Sequence, residues 1–458
     1  MVTPQRWTPP IVMFLLAAAG LVLGTVAAAG AADTETLERM ERIIKQQQAQ
    51  IEAQAEALEK LQQQVEALTE KAVEEATAAA KAEVAKTAAP AGIVSTQGDK
   101  VRVQMYGQVN RAFLAADDGD SSDYYFVDND HSSSRAGLVA ETDVNDDLTI
   151  GAKFEFEYQS NPSNVVNQDD KNPDTGNGEG FDERWVDAQF TSKRFGKLYL
   201  GKGPTASDGT SEVDLSGTNV VSYSSIADMA GGVFWFDDNT NGYIDTDPRP
   251  TVTENLNIGD VFTNFDGLSR ENRIRYDSPN FAGFTLSGSV LSDGGDVALK
   301  YAAKWGEDWK FAAAAAYANP EAKGSGDTIQ NQYAGSASIL HSSGLNFTVA
   351  GGYGDLEGGL TNPDGTDRDD DPIFYYAKLG YRASFFEVGE TRFSVDYQRT
   401  EDYAREGDQA TAAGFQLVQD FSEWGTEYYL GYRWHELDRD EADFNDINAL
   451  MTGVRVKF

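Results

Sequence analysis

The sequence predicts an all-β transmembrane barrel, a 16-stranded antiparallel up-and-down barrel with an N-terminal α-helical coiled coil. Three observations predict it. An apolar run near the N-terminus ends in a small-residue cleavage site, which marks the chain for export. A heptad repeat follows it. From Val101 to Phe458, apolar and polar residues then alternate in segments of about ten residues, the length and period of a lipid-facing strand.

The leader comes first. Arg6 precedes the apolar run 11–26, and Ala27-Ala-Ala-Gly-Ala-Ala32 places small residues at −3 and −1 of a cut after Ala31 or Ala32. Residues 1–31 are read as a signal peptide. Polar Asp33 directly after the small-residue site favours removal over a permanent anchor. No later run reaches the roughly 18 apolar residues of a spanning helix, so any span after export is made of strands.

Residues 33–85 carry the coiled coil. Leu37, Ile44, Ile51, Leu58, Val65 and Ala72 recur seven apart, with Met40, Gln47, Gln54, Leu61 and Leu68 three residues after the first five. This a/d seam runs without Pro or Gly, and its two Gln residues at d trade stability for register and strand number. The competing reading is a lone solvated amphipathic helix. Pro90 and Gly92 mark a linker over 86–100.

The barrel is read over 101–458. Val103, Met105, Gly107 and Val109 alternate with Arg102, Gln104, Tyr106, Gln108 and Asn110. Ile150, Ala152, Phe154 and Phe156 alternate with Gly151, Lys153, Glu155 and Glu157, and Tyr428, Leu430, Tyr432 and Trp434 stand against Glu427 and Arg433. A soluble sandwich also alternates. Aromatic residues at strand ends, short turns at alternate connections and long Asp/Asn/Gly loops at the others favour a barrel with a wet interior. Segments begin near residues 101, 133, 148, 182, 196, 272, 282, 296, 309, 331, 344, 372, 390, 409, 425 and 447. Their even number suits closure, which leaves no edge strand. The final Phe458 shares a face with Val454 and Val456 and is similar to an outer-membrane assembly signal.

Composition narrows the function. Acidic residues number 74 against 37 basic ones, a net charge of −37, which excludes nucleic acid as a partner. There is no Cys, hence no disulfide and no thiolate metal site. His131, His341 and His435 share no ligand spacing, and no nucleophile elbow, HExxH or phosphate-binding loop is present, so nothing points to an enzyme.

Several stretches resemble the trimeric general porins of Gram-negative outer membranes. They are Met105-Tyr-Gly-Gln-Val109, Ser134-Arg-Ala-Gly-Leu-Val-Ala-Glu-Thr-Asp143 with Asp147-Leu-Thr-Ile-Gly151, Phe195-Gly-Lys-Leu-Tyr-Leu-Gly201, Arg275-Tyr-Asp-Ser-Pro279 and the terminal Phe458. The coiled coil lies outside that pattern. The resemblance implies three barrels per assembly, each with its own pore, and a third external loop that folds inward; here that loop spans about 203–269. It implies a homotrimer in outer-membrane lipid that passes small hydrophilic solutes by diffusion. The alternative reading is a structural tether that links the outer membrane to the cell wall, or to an inner partner, through the coil.

The same resemblance implies a constriction with basic wall residues facing loop acids. Arg135 and Arg184 match wall arginines, and Lys202 a third basic site. Gln108 stands where several relatives have Lys, and Arg273 and Arg275 extend the wall. The loop candidates are Asp208, Glu212, Asp214 and Asp228. Opposed charges of this kind set up a field across the pore that favours polar solutes; ordinary surface charge is the competing reading.

Two charges break the alternation. Arg111 shares the outward face of Val109, and Asp187 is expected on the outward face if Arg184 points inward. Either the two face neighbouring subunits and pair there, or a bulge resets the register. One further motif lies within the long loop. Asp237, Asn239, Asn241, Tyr243 (through its carbonyl) and Asp245 fall at the positions of a calcium loop, with Gly242 at the sharp turn. Pro248 replaces the usual bidentate Glu, and Asp247 is the candidate substitute. Calcium is therefore the one cofactor expected from sequence, set against a solvated Asn/Asp/Gly turn.

Overall fold

The computed structural model describes residues 45, 60 and 100–458, apart from 174–180, 244–254, 321–328, 359, 361–367 and 441. The expected signal peptide, the heptad seam and the linker up to residue 99 lie outside the described residues. The chain divides into two compact units, residues 1–74 and 75–458, and the barrel belongs to the second.

The first strands are β1 (Val101–Asp117), β2 (Ser122–Asp128), β3 (Arg135–Asp143), β4 (Leu148–Tyr158), β5 (Phe181–Ser192) and β6 (Gly196–Pro204). A minimal hairpin, β7 (Phe236–Asp237) and β8 (Gly242–Tyr243), interrupts the long loop, as does the one-turn helix α1 (Ile258–Val261). The remaining strands are β9 (Arg270–Asp277), β10 (Phe284–Leu291), β11 (Gly294–Trp305), β12 (Trp309–Ala318), β13 (Ile329–His341) and β14 (Leu345–Leu356). They continue as β15 (Ile373–Phe386), β16 (Gly389–Glu401), β17 (Gln409–Phe421), β18 (Thr426–Asp438) and β19 (Ile447–Lys457).

Each barrel strand pairs antiparallel with its neighbours. β19 closes on β1, with Gln108 opposite Lys457 and Asp117 opposite Asn448. β2 and β3 both pair with β1, β2 along its second half and β3 along its first. They form one stave broken at 129–134, so the barrel is a closed antiparallel ring of 16 staves. The break is a difference from the sequence reading, which had one segment starting near 133. It is built by polar side chains. Gln108 Nε2 donates to the carbonyls of Ser132 (2.9 Å) and Ser133 (2.8 Å), and Asn110 Nδ2 donates to the Ser132 carbonyl (2.9 Å). Ser134 N donates to Asp128 Oδ1 at 2.9 Å, so the chain turns into the lumen and back.

Burial runs inside out, as lipid solvation requires. Met105, Val109, Leu286, Val297, Leu379 and Val395 are exposed on the outer surface, while Gln108, Ser336, Lys378, Asp396, Gln416 and Arg433 are buried. Turns at one end are short. At 145–148, Asn145 Oδ1 accepts the N–H groups of Asp147 and Leu148, both at 2.9 Å, so the side chain replaces a longer loop. Gly344 sits in a turn at φ +95°, where a Cβ would lie 1.8 Å from the Arg382 carbonyl oxygen; only glycine fits. Aromatic pairs ring that end, with Trp305 stacked on Phe311 at 4.8 Å and Phe421 on Trp424 at 5.7 Å.

The interior is polar only in part. Nearer the long loops, Leu114, Ala116, Ile447, Ala449 and Met451 are buried together with the loop residues Val220, Ile226, Met229, Trp235, Leu256 and Phe262. The long loop thus carries a small apolar core into the barrel. Burying such side chains is worth about 1.5–3 kcal/mol each, which makes the inward position the stable one.

The two charges that break the alternation separate here, and the expectation for Asp187 is corrected. Arg111 does lie on the outer surface, but its partners belong to its own chain: Nη1 donates to the Ser160 carbonyl at 2.8 Å and lies 3.7 Å from Asp128. Asp187 faces inward, because the β4–β5 register shifts at Arg184, which has no opposite residue. Its carboxylate accepts from Arg273 Nη2 at 2.8 Å, and both side chains are fully buried. The bulge reading holds, and no Arg111–Asp187 pair exists.

Candidate pore constriction

The loop between β6 and β9 spans 205–269. It enters along one side of the barrel because small hydroxyl residues on the inner wall meet its backbone. Ala206 N donates to Ser289 Oγ (2.6 Å), Val213 N to Ser336 Oγ (2.8 Å) and Leu215 N to Ser338 Oγ (2.9 Å). Thr218 Oγ1 meets Ser394 Oγ at 2.8 Å. The segment therefore crosses β10, β13 and β16 in sequence.

Two buried ion pairs fix it further. Lys378 Nζ donates to Asp214 Oδ2 (2.7 Å), Thr218 Oγ1 (3.1 Å) and the Ser222 carbonyl (2.7 Å). Arg433 Nη2 donates to Ser222 Oγ (2.7 Å) and Asp396 Oδ2 (3.0 Å), while Ser222 Oγ also donates to Asp396. The loop then crosses to the broken stave, where Asn129 Nδ2 donates to the Val220 carbonyl at 2.6 Å and Ser163 Oγ to the Asp228 carbonyl at 2.5 Å.

This course leaves a cavity of about 620 Å³ against the opposite wall. Five basic side chains line it, Arg135, Arg184, Arg270, Arg455 and Lys457, with the acids Glu155 and Glu212. Gln108 and His131 reach it from the first two staves; Asn219 and Tyr223 reach it from the loop. Arg184 is paired, with Nε donating to Glu155 (3.0 Å) and Nη1 to Glu157 (2.5 Å). Arg455 and Lys457 share Glu427. Arg135 and Arg270 are in no ion pair among the described residues. Among the described residues Arg135 Nη2 donates to Ser132 Oγ at 3.3 Å, and its guanidinium feels Arg184, Arg455 and Arg270 as positive neighbours and Glu155 as a negative one. Among the described residues Arg270 Nε is buried without a hydrogen-bond partner, and its guanidinium is felt by Asp130.

The loop acids are quieter than the family pattern implies. Glu212 accepts from Asn264 Nδ2 at 2.9 Å, and burial beside Asp266, Asp228 and Asp208 raises its carboxyl well above the usual range. Asp228 is pushed up to about 8 by burial, then by the negative charge of Asp130; it accepts from Tyr223 Oη (2.6 Å) and Ser225 Oγ (2.8 Å). Asp214 is held by Lys378. Asp208 does not line the cavity. His131, whose ring burial pushes it well below the ordinary imidazole value, is neutral.

Residues 76–440 match the Gram-negative porin family. The chain belongs to this family. It is accordingly a channel-type barrel of the bacterial outer membrane. No curated protein sequence matches the chain. Among solved structures it is similar to the anion-selective porin from Comamonas acidovorans, at 15% identity and a TM-score of 0.49 over 78% of this chain and 100% of that one. It is also similar to OmpF of Salmonella typhi in complex with daunomycin, at 13% identity and 0.47, covering 80% and 100%. The outer membrane channel DcaP of Acinetobacter baumannii aligns at 11% identity and 0.46, covering 80% and 100%.

The remaining candidate residues of this porin divide by position. Arg273 and Arg275 point inward but away from the cavity. Arg273 donates to the Gly201 (2.6 Å) and Pro204 (2.9 Å) carbonyls, and Arg275 pairs with Asp277 (2.8 Å) and donates to the Thr205 carbonyl (2.8 Å). They hold the root of the loop. Lys202 is a correction. It stands opposite Val186 and Asn272, on the same outward face as Leu198 and Leu200, because strict alternation along β6 puts Tyr199 and Gly201 inside. Sequence reasoning missed Arg270, Arg455 and Lys457. The last two were readable, since Val454 and Val456 face outward and their neighbours must face in. Arg270 was not, because it starts a strand directly after the loop.

The calcium-like motif takes a different shape from a helix-flanked loop. Phe236 pairs with Tyr243 and Asp237 with Gly242, with Asn241 left-handed at φ 55°. The Asp237 carboxylate accepts three backbone N–H groups, from Asn239 (3.1 Å), Thr240 (3.2 Å) and Asp443 (2.9 Å). Asn239 and Asn241 thus belong to a hairpin turn whose Asp237 carboxylate is engaged by backbone donors. The rest of the proposed ligand set, Asp245 and Asp247, lies outside the described residues.

Proposed function

We propose that this porin is a passive diffusion channel for small hydrophilic solutes, trimeric, with the coil of residues 33–85 in the periplasm. The observation that carries the reading is the loop course. The loop is fastened along β10–β18 and leaves a polar, charge-lined opening against β1, β3, β5 and β19. A lumen of this kind passes solutes that keep their hydration and rejects apolar ones. The heptad seam supports threefold association, one helix per barrel. Swelling of liposomes loaded with the full-length protein tests the channel. Uncharged sugars of rising mass should enter at steeply falling rates, and no swelling with the smallest sugar overturns the reading. A tethering role for the coil predicts loss of envelope cohesion when residues 33–90 are deleted while swelling persists.

A further inference from the structure

The long loop is held twice, by different chemistry. Its inner arm, 206–222, is fastened to the barrel wall by hydroxyl contacts and by the buried Lys378–Asp214 pair. Its outer arm, 233–243, is held otherwise. Among the described residues, the hydrogen bonds that tie this arm to chain outside the loop end on other external connections. Gln168, between β4 and β5, uses its side-chain amide as a strand uses its backbone: it accepts from Phe234 N at 2.9 Å and donates to the Phe234 carbonyl at 3.0 Å. Tyr243 Oη donates to Asp118 Oδ2 at 3.0 Å, in the turn after β1.

The third connection, 439–446 between β18 and β19, goes further. Asp238 N donates to the Asp443 carbonyl and Asn445 N to the Phe236 carbonyl, both at 2.9 Å. Residues 443–445 therefore form a third, antiparallel strand beside the β7–β8 hairpin. Asp443 N also donates to Asp237 Oδ1 at 2.9 Å. Side chains lock the same strand. The Phe444 ring meets that of the fully buried Trp235, with centroids 6.1 Å apart. The Arg439 guanidinium lies over Phe444 at 5.6 Å and pairs both oxygens of Asp408, at 2.7 and 2.6 Å. Gly119, at φ +87°, lets the turn after β1 come close, since a Cβ there would lie 2.5 Å from the Asn445 Cβ.

On its outer side this strand exposes Asp443. On its inner side Trp235 packs in the loop's apolar core with Met229 and Ile226, and Asp228 between them accepts from Tyr223, which lines the cavity. One contiguous packed body thus runs from the external surface to the cavity. We propose that connection 439–446 is a strap that steadies the constriction from outside the membrane, and that its release lets the outer arm swing into the lumen and interrupt the current. The bonds of the strap to β7 join neutral backbone groups or a single carboxylate, whereas the inner arm has a buried ion pair, so the outer hold opens first. The inference rests on the channel reading and adds a control point to it: a molecule that grips the exposed side of the strap acts on the pore without entering it.

Asp237 and Phe444 stand opposite each other as a non-hydrogen-bonded antiparallel pair, whose Cα atoms lie about 4.5 Å apart, within reach of a disulfide. The chain has no Cys, so D237C/F444C carries only the two introduced thiols. The test is single-channel recording of full-length wild type and D237C/F444C in potassium chloride with a calcium chelator, before and after reduction. The chelator keeps the calcium reading of Asp237 out of the result. The oxidised variant should be as steady as wild type. Reduction leaves neither the Asp237 carboxylate nor the Phe444 ring and should raise the rate of brief closures at least about tenfold. Reoxidation should reverse the change, and reversal within one folded protein separates release of the strap from misfolding. Wild type, without thiols, should not respond to reductant. Thiols that stay titratable after mild oxidation contradict the pairing of 443–445 with β7, and equal closure rates in the two redox states show that the strap does not steady the loop. Either result overturns this inference and leaves the channel reading standing. A folded wild-type protein that passes no current overturns both.

Discussion

Lys378 is the residue through which the loop position can be tested most sharply. Its ammonium is fully buried and makes three bonds, to Asp214 at 2.7 Å, Thr218 at 3.1 Å and the Ser222 carbonyl at 2.7 Å, all on the loop. Lys378→Met keeps most of the volume and removes the charge. Asp214 would retain Ser216 N at 2.7 Å and Thr348 Oγ1 at 3.1 Å, but no counter-ion. Breaking one side of a buried pair costs about 3–5 kcal/mol. The other ties of this segment, such as Val213 to Ser336 and Leu215 to Ser338, are neutral bonds worth about 1 kcal/mol each. The loss is therefore comparable to all that would still hold the segment, and it should appear as local opening rather than global unfolding. The chain has no Cys, so a single Leu215→Cys reporter is unambiguous. Labelling by a water-soluble maleimide should accelerate by more than about a hundredfold in K378M. Adding Asp214→Asn should restore most of the protection, because the unpaired charge then disappears. Labelling within about threefold of the parent would refute the idea that this pair fastens the loop.

Other outcomes follow from the same geometry. Asp228 has a folded value of about 8, raised above an unfolded carboxyl near 4, so the folded state binds the extra proton between those limits. Stability should therefore fall as pH rises from about 4 to 8, by at most about 1.4 kcal/mol per unit, and level off above; thermal unfolding of Asp228→Asn should show a shallower slope. Asp187→Ala, which strands the buried Arg273, should destabilise the barrel by about 3–5 kcal/mol in denaturant titrations, whereas a charge facing a subunit neighbour would chiefly alter assembly. Lys202→Gln should leave ion selectivity in a bilayer unchanged, since its side chain stands on the outer face. Calorimetric titration of the folded protein with calcium decides the loop motif: heat that disappears with Asp237→Ala supports a site, and no heat assigns the motif to the hairpin alone.

Much of the barrel was legible because period two is a direct imprint of lipid outside and water inside. β4 shows it cleanly, with Phe154 outward and Glu155 inward. The imprint fails where both faces are apolar. Along the second half of β1, Phe113 faces lipid while Leu114 and Ala116 face the loop's own core, so nothing in the local pattern separates the two sides. The broken second stave was hidden for a related reason, since Ser122–Asp128 is short, its residues 124–127 are an unbroken aromatic and apolar run, and it pairs only with β1. Asp187 was misplaced because one residue of bulge inverts the parity of everything beyond it. At the constriction, Arg135 and Arg184, matched to wall arginines through the family resemblance, do line the cavity. The state of the loop acids was not legible, because it depends on what each carboxyl meets after the loop has folded inward.

An open channel narrowed by a loop against a cationic wall has an electrical signature. Single-channel conductance of the full-length protein in a planar bilayer under a potassium chloride gradient tests it most directly. Discrete openings that close in three equal steps are expected, with a reversal potential of the sign for chloride preference. A folded protein with no conductance would contradict it by showing that the loop seals the barrel, and a reversal potential of the opposite sign would contradict the charge assigned to the constriction.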